Sequence, residues 1–144
     1  MSFIQTLESR LKYKYAHLGE IAAKPLSPQF VLMGNYMSEG CSGGLAIFDG
    51  YLAEYGHLTT EECAPYQANT KGDSFKNYKN CPAHARVSKS SYLRGYNFNP
   101  TVADIQKDIL LNGAIATEFA AGDEFSYYSE GIMQQQSKKP EEFA

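Results

Sequence analysis

The sequence predicts an α+β fold, and three observations carry the prediction. Three stretches repeat apolar residues at helical spacing, two short stretches have strand character, and a long polar segment between them has neither period. With 43% hydrophobic and 20% charged residues in 144, the composition is that of a globular chain rather than a disordered one.

In chain order, Phe3, Leu7 and Leu11 recur at i, i+4 and i+8, so the first segment reads as a helix with one apolar face. Lys12 and Lys14 near its end suit the helix dipole. Leu26-Ser27-Pro28-Gln29 is a turn signal, because proline fixes φ. Gly40-Cys41-Ser42-Gly43-Gly44 is a second turn, and a helix starts from it with Leu45, Phe48, Leu52 and Tyr55 on one face. Gly56 is placed to end that helix. From Thr59 to Ser91 the chain is polar and rich in turn residues. A loop of that length is usually functional or covalently pinned. Cys63 and Cys81 flank its centre, so a disulfide between them is the economical reading. Ser91 to Phe98 has strand character. Thr101 with Asp104 three residues on resembles a capping box for a third helix, whose apolar face is Val102, Ile105 and Ile109 and whose stop is Gly113. Ala114 to Phe119 reads as a buried strand, Phe125, Tyr127 and Tyr128 as an aromatic cluster, and 134–144 as a polar flexible tail.

Several function classes are excluded by composition. The formal charge is −3 and no basic run exceeds Lys138-Lys139, which argues against nucleic acid as a partner. No apolar stretch approaches the roughly 18 residues of a membrane span. The N-terminus lacks a basic segment followed by an apolar core, so no signal peptide is expected in this chain. Cys41, Cys63 and Cys81 lack the paired spacing of a zinc site, and His17, His57 and His84 are scattered, so no metal site is expected.

The order of motifs says more. Ser2-Phe3 before an amphipathic helix, Leu26-Ser27-Pro28-Gln29, Gly40-Cys41-Ser42-Gly43-Gly44, Cys63-Ala64-Pro65-Tyr66, Gly113-Ala114-Ile115-Ala116 and the Phe125–Met133 stretch with Tyr128 and Gly131-Ile132 resemble six elements of the papain family of cysteine peptidases. Each is weak alone; six in order across residues 1 to 133 are strong together. The spacing is most similar to cathepsin C, with cathepsin X second. Ala114 departs from the family, which has proline there.

The resemblance implies a papain-like fold: a helical left domain over 1–94 with the disulfide-pinned loop, then the start of a right-domain antiparallel β-barrel over 95–133. It implies that the barrel is incomplete in this chain, that partner chains complete or bury it, and that the left domain can hold an extended peptide. It implies the lumen of a lysosome or the secretory route as location. The family's nucleophilic cysteine, activated by a histidine and a helix N-terminus, aligns just before Met1; the oxyanion glutamine aligns further upstream, and the histidine and asparagine align beyond Ala144. No catalytic residue is therefore expected here. The expected reading is a pseudo-peptidase acting as a structural or interaction subunit; the alternative is one chain of an active cathepsin C-like peptidase.

Substrate-binding roles carry over to Gly43 and Gly44, whose backbone would pair with the peptide, and to Leu45, Ala46, Ala114 and Thr117, which match a side-chain pocket. The plainer readings are that the glycines only make the turn and that Ala114 and Thr117 only fill a buried strand. Tyr66 matches a residue of a chloride site, the one cofactor the resemblance suggests; the plainer reading is a tyrosine that stabilises the loop. The resemblance keeps Cys63–Cys81 as a disulfide and leaves Cys41 free or bonded to another chain.

Overall fold

The computed structural model describes residues 1–68, 78–95, 99–119 and 122–133. The tail 134–144 and the last part of the expected strand, 96–98, lie outside the described residues. Helix α1 spans Ser2–Lys14, with Phe3 and Ile4 buried and Lys12 and Lys14 in its last turn. Leu7 and Leu11 pack against the same core, so the predicted face is the one α1 uses. A 3₁₀ turn at Ala16–Leu18 and the short α2, Glu20–Ala23, carry the chain back toward Leu26.

The Leu26–Gln29 turn is also the start of a helix that was not expected, α3 at Pro28–Gly34. Ser27 is its N-cap: its hydroxyl oxygen accepts from Phe30 N at 2.9 Å and its proton goes to the Ala64 carbonyl. Proline at the first helical position gives up no hydrogen bond, because that N–H has no partner in the helix. One turn signal thus closes a loop and nucleates a helix.

Helix α4, Ala46–Tyr55, ends where Gly56 predicts, with Gly56 N bonded to Leu52 O at 2.9 Å. Its buried face differs from the expected one. Gly50 and Ala53 are buried, whereas Leu45 and Tyr55 are 42% and 83% exposed. The small side chains let other segments approach. A Cβ at Gly50 would meet the Ser90 Cβ at 2.8 Å, and Ser90 N is held by Glu54 Oε2 at 2.7 Å. An apolar helix has several candidate stripes, and close approach favours the one with the least bulk.

The main core joins Phe3, Ile4, Leu26, Val31, Ala53 and Leu58. A second cluster joins Phe30, Ala64, Tyr78 and Cys81. The described parts of the long loop, 59–68 and 78–91, pack onto both clusters, and two isolated antiparallel bridges tie them in, Leu26 with Thr60 and Leu58 with Ala85. Cys63 and Cys81 are disulfide-bonded, as expected, and Cys41 is an exposed thiol with no disulfide partner within the chain.

Helix α5, Val102–Asn112, carries the full capping box: Thr101 Oγ1 accepts from Asp104 N at 3.2 Å, and Asp104 Oδ2 accepts from Thr101 N at 2.9 Å. These bonds from Thr101, with a smaller contribution from Arg94, hold the Asp104 carboxyl below its ordinary value. Thr101→Ala is expected to cost about 1 kcal/mol, read as a drop in melting temperature; Thr101→Ser should keep the cap, and equal effects of the two would refute its role.

The right-hand part differs from expectation in two respects. Val102 and Ile109 are 71% and 46% exposed and no residue of α5 is buried, so its apolar face is not covered among the described residues. Residues 114–119 are neither strand nor buried: Ala116 to Phe119 are exposed, and no strand is found among the described residues. A strand exists only through bonds to a neighbour, and the described residues offer this segment none in a ladder. What holds it is Arg10 of α1, whose Nε donates to Ala114 O at 2.5 Å while Nη2 pairs with Asp108 Oδ2 at 3.2 Å. The aromatic cluster forms as Phe119, Phe125 and Tyr128, with ring centroids 5.1 and 6.4 Å apart; Tyr127 is 86% exposed and stands outside it. Among the described residues no helix is long and apolar enough to cross a membrane.

Candidate functional site

A cavity of about 280 Å³ opens at the N-terminus of α1. Met1 and Ser2 form its head, Pro28 and Leu32 of α3 one wall, Ala46 and Asp49 of α4 another, and Gly43 and Gly44 its rim. Tyr66 and the exposed pair Thr117–Glu118 close it. A larger groove of about 690 Å³ runs behind, between α1 and α5, and shares Ala46, Thr117 and Glu118 with it.

Of the residues carried over by resemblance, the fold brings together Gly43, Gly44, Ala46, Thr117 and Tyr66 on the cavity. Leu45 and Ala114 are not among its lining residues. Leu45 is the N-cap of α4, and the Ala114 carbonyl is taken up by Arg10.

The two glycines are required by the turn for different reasons. Gly43 has φ of +127°, a region L-residues rarely enter. Gly44 has no room: a Cβ there would collide with the Ser38 side chain. Asn35 sets this corner. It is 4% exposed, and its Nδ2 donates to Ser38 Oγ at 3.0 Å and to Asp49 Oδ1 at 2.7 Å while its Oδ1 accepts from Met37 N at 3.0 Å. One buried amide thereby ties the rim to α4. Gln29, fully buried, does the same for the far wall by accepting from Gln67 N at 3.0 Å, and Glu61 Oε1 accepts from Tyr66 N at 2.6 Å.

Sequence reasoning missed Asn35, Ser38, Asp49 and Glu118. The legible signal was Asp49 itself, a carboxylate inside the apolar run Leu45-Ala46-Ile47-Phe48 and Gly50. Burial pushes its carboxyl above the ordinary value, against the Asn35 hydrogen bond and the charge of the Met1 amino group. Among the lining residues Asp49 and Glu118 are carboxylates and none is Lys, Arg or His. Tyr66, the residue that the resemblance links to chloride, lies on this cavity together with the two carboxylates.

The thiols and imidazoles do not meet. Cys41 Sγ faces the Ala68 carbonyl at 3.7 Å, Cys63 and Cys81 are oxidised, and His57 Nε2 sits 3.2 Å from the Cys81 carbonyl with its ring 5.2 Å from that of Phe30. His84 is held through its backbone N on Leu58 O, 2.8 Å away.

Comparison with known proteins agrees with the motif order. Residues 1–143 match the model of the papain family cysteine protease. The chain is 25% identical to cathepsin B-like protease 1 of Arabidopsis thaliana over 142 residues, covering 90% of this chain and 36% of that protein. It is 31% identical to cathepsin C of Schistosoma mansoni over 108 residues, 74% of this chain and 23% of that one. It is 29% identical to cathepsin B-like CP3 of Giardia intestinalis, over 83% of this chain and 40% of that one. The chain thus spans well under half the length of these curated relatives. Cathepsin B-like proteins stand beside cathepsin C, which the motif spacing alone did not suggest. Over nearly its whole length the chain belongs to the papain family of cysteine proteases.

Proposed function

We propose that this chain forms the helical wall and substrate edge of a papain-type cleft, and that by itself it holds an extended peptide without cleaving it. The observation that carries this reading is the convergence of Gly43, Gly44 and Thr117 on one cavity at the start of α1. Gly43 uses its own backbone inside the turn, donating to Gly40 O at 3.3 Å and accepting from Glu39 N at 2.9 Å, so the Gly44 backbone is the edge that an extended strand would use, the mode in which main-chain bonds give affinity and a side-chain pocket gives selectivity. The absence of cleavage rests on the three cysteines and on His57 and His84 as placed above, none of which forms a thiol–imidazole couple. In this reading the chain is a peptidase-like interaction subunit. The exposed Val102, Leu110 and Leu111 on α5 are the surface that a barrel or a partner chain would cover.

A second reading is favoured by the position of α1. Its N-terminus opens on the cavity, so a thiol placed just ahead of Met1 would face the bound peptide and gain from the helix dipole. The chain would then be one part of an active cysteine protease.

One experiment separates them. The native protein is treated with a peptidyl epoxide and mapped by mass spectrometry. The first reading expects no covalent adduct on any of the three cysteines and no hydrolysis of peptide substrates. An adduct on a cysteine preceding Ser2 would establish the second. In either case Gly44→Val is expected to weaken peptide binding at least tenfold, because the new side chain collides with Ser38 and displaces the rim; unchanged binding would refute the edge.

A further inference from the structure

Asp49 stands apart from the peptide edge yet opens on the same cavity. Its side chain is half-buried and enters from α4. Asn35 Nδ2 holds Oδ1 at 2.7 Å, which fixes the orientation of the carboxylate, and Oδ2 has no donor among the described residues. Asn35 cannot turn away easily, since it also holds Ser38 and Met37. Across the cavity stands Glu118, on an exposed segment. The positive charge facing Asp49 is the Met1 amino group, which makes no ion pair with it. The other lining residues are apolar side chains, glycines, serines, Thr117 and Tyr66.

An oriented, half-desolvated carboxylate with one oxygen free asks for a charge-assisted donor. A carboxylate side chain on the peptide would meet like charge from Asp49 and Glu118, and an aliphatic one would cover Oδ2 without offering it a donor. We infer that Asp49 is a specificity-determining residue that makes this cavity select a peptide bearing a protonated amine or guanidinium side chain, with Glu118 adding to the field. The volume of about 280 Å³ admits one such side chain. The inference rests on the peptide-edge reading above and names the substrate class of that edge.

The test uses three fluorescently labelled peptide amides that differ at one residue: lysine, norleucine, which has the same chain without the ammonium, and glutamate. Affinities for the purified protein are measured by anisotropy at fixed ionic strength, near pH 7. The lysine peptide is expected to bind about tenfold tighter than the norleucine peptide, and the glutamate peptide weakest. Asp49→Asn should bring lysine and norleucine within about twofold of each other, and Glu118→Gln, on the exposed segment, should narrow the gap by less. Replacing chloride by gluconate should change nothing. If Asp49→Asn does not fold, the wild type decides: acidification that protonates Asp49 should abolish the lysine advantage while norleucine affinity stays level. Equal binding of all three peptides, or a lysine preference that survives Asp49→Asn and acidification, would overturn the role of Asp49 and leave the peptide edge standing. Binding of none of them would overturn the edge, and this inference with it.

Discussion

Leu58→Ala is expected to destabilise the protein by about 3–5 kcal/mol, the upper part of the range for a buried leucine. Leu58 is 1% exposed and belongs to the cluster of Phe3, Ile4, Leu26, Val31 and Ala53. The cost of such a truncation depends on how far the surroundings collapse into the space left behind. Here they are held. Leu58 N donates to Ala85 O at 2.8 Å, and Leu58 O accepts from His84 N at 2.8 Å and from Ala85 N at 3.2 Å. Next to it, the fully buried Thr59 donates from Oγ1 to Pro82 O at 2.9 Å. The backbone cannot move inward without breaking these bonds. Urea unfolding should show a lower midpoint at an unchanged slope, the signature of lost stability rather than of an altered unfolded state. Leu110→Ala is the control: Leu110 is 78% exposed, and its loss should stay within about 0.5 kcal/mol. A Leu58→Ala loss no greater than that of the control would refute the assignment of the core.

Removing the Cys63–Cys81 bond is the second large effect, about 3 kcal/mol. The two cysteines are 18 residues apart, and cross-linking a loop of that size removes chain entropy of this order from the unfolded state. Cys81 is also part of the second core cluster with Phe30, Ala64 and Tyr78, so Cys81→Ser places a hydroxyl among apolar groups and should cost more than Cys63→Ser. Two measurements check this. Melting with and without reductant should shift the wild type downward and leave a Cys63→Ser/Cys81→Ser double variant unmoved. Mapping of non-reduced peptides should find Cys63 joined to Cys81; a Cys41–Cys63 link would refute the pairing. Cys41→Ser should leave stability unchanged, because the thiol is free and exposed.

The disulfide bears on the candidate site as well as on stability. It anchors the segment that carries Tyr66, whose N–H is held by Glu61 and whose neighbour Gln67 is held by Gln29. Loss of the bond should therefore weaken peptide binding beyond what unfolding explains, measured at a temperature where both forms are folded.

Local chemistry made several elements legible in the sequence. The face of α1 follows from Phe3, Leu7 and Leu11, the box of α5 from Thr101 and Asp104, and the end of α4 from Gly56, since each depends on residues within one or two turns of each other. The order of six short motifs carried the family. Tertiary structure decided what depends on partners distant in the chain. Ser27 became the cap of α3 because Ala64 took its proton. The buried stripe of α4 is Gly50 and Ala53 because Ser90 comes close there, which hydrophobicity alone does not reveal. Residues 114–119 have strand composition but no ladder, since a strand is a property of two segments and the composition of one cannot supply the second. Asp49 shows the division most clearly. In sequence it is a misplaced charge in an apolar helix; only the fold brings Asn35 to one of its oxygens and sets it on the same cavity as Gly43 and Gly44.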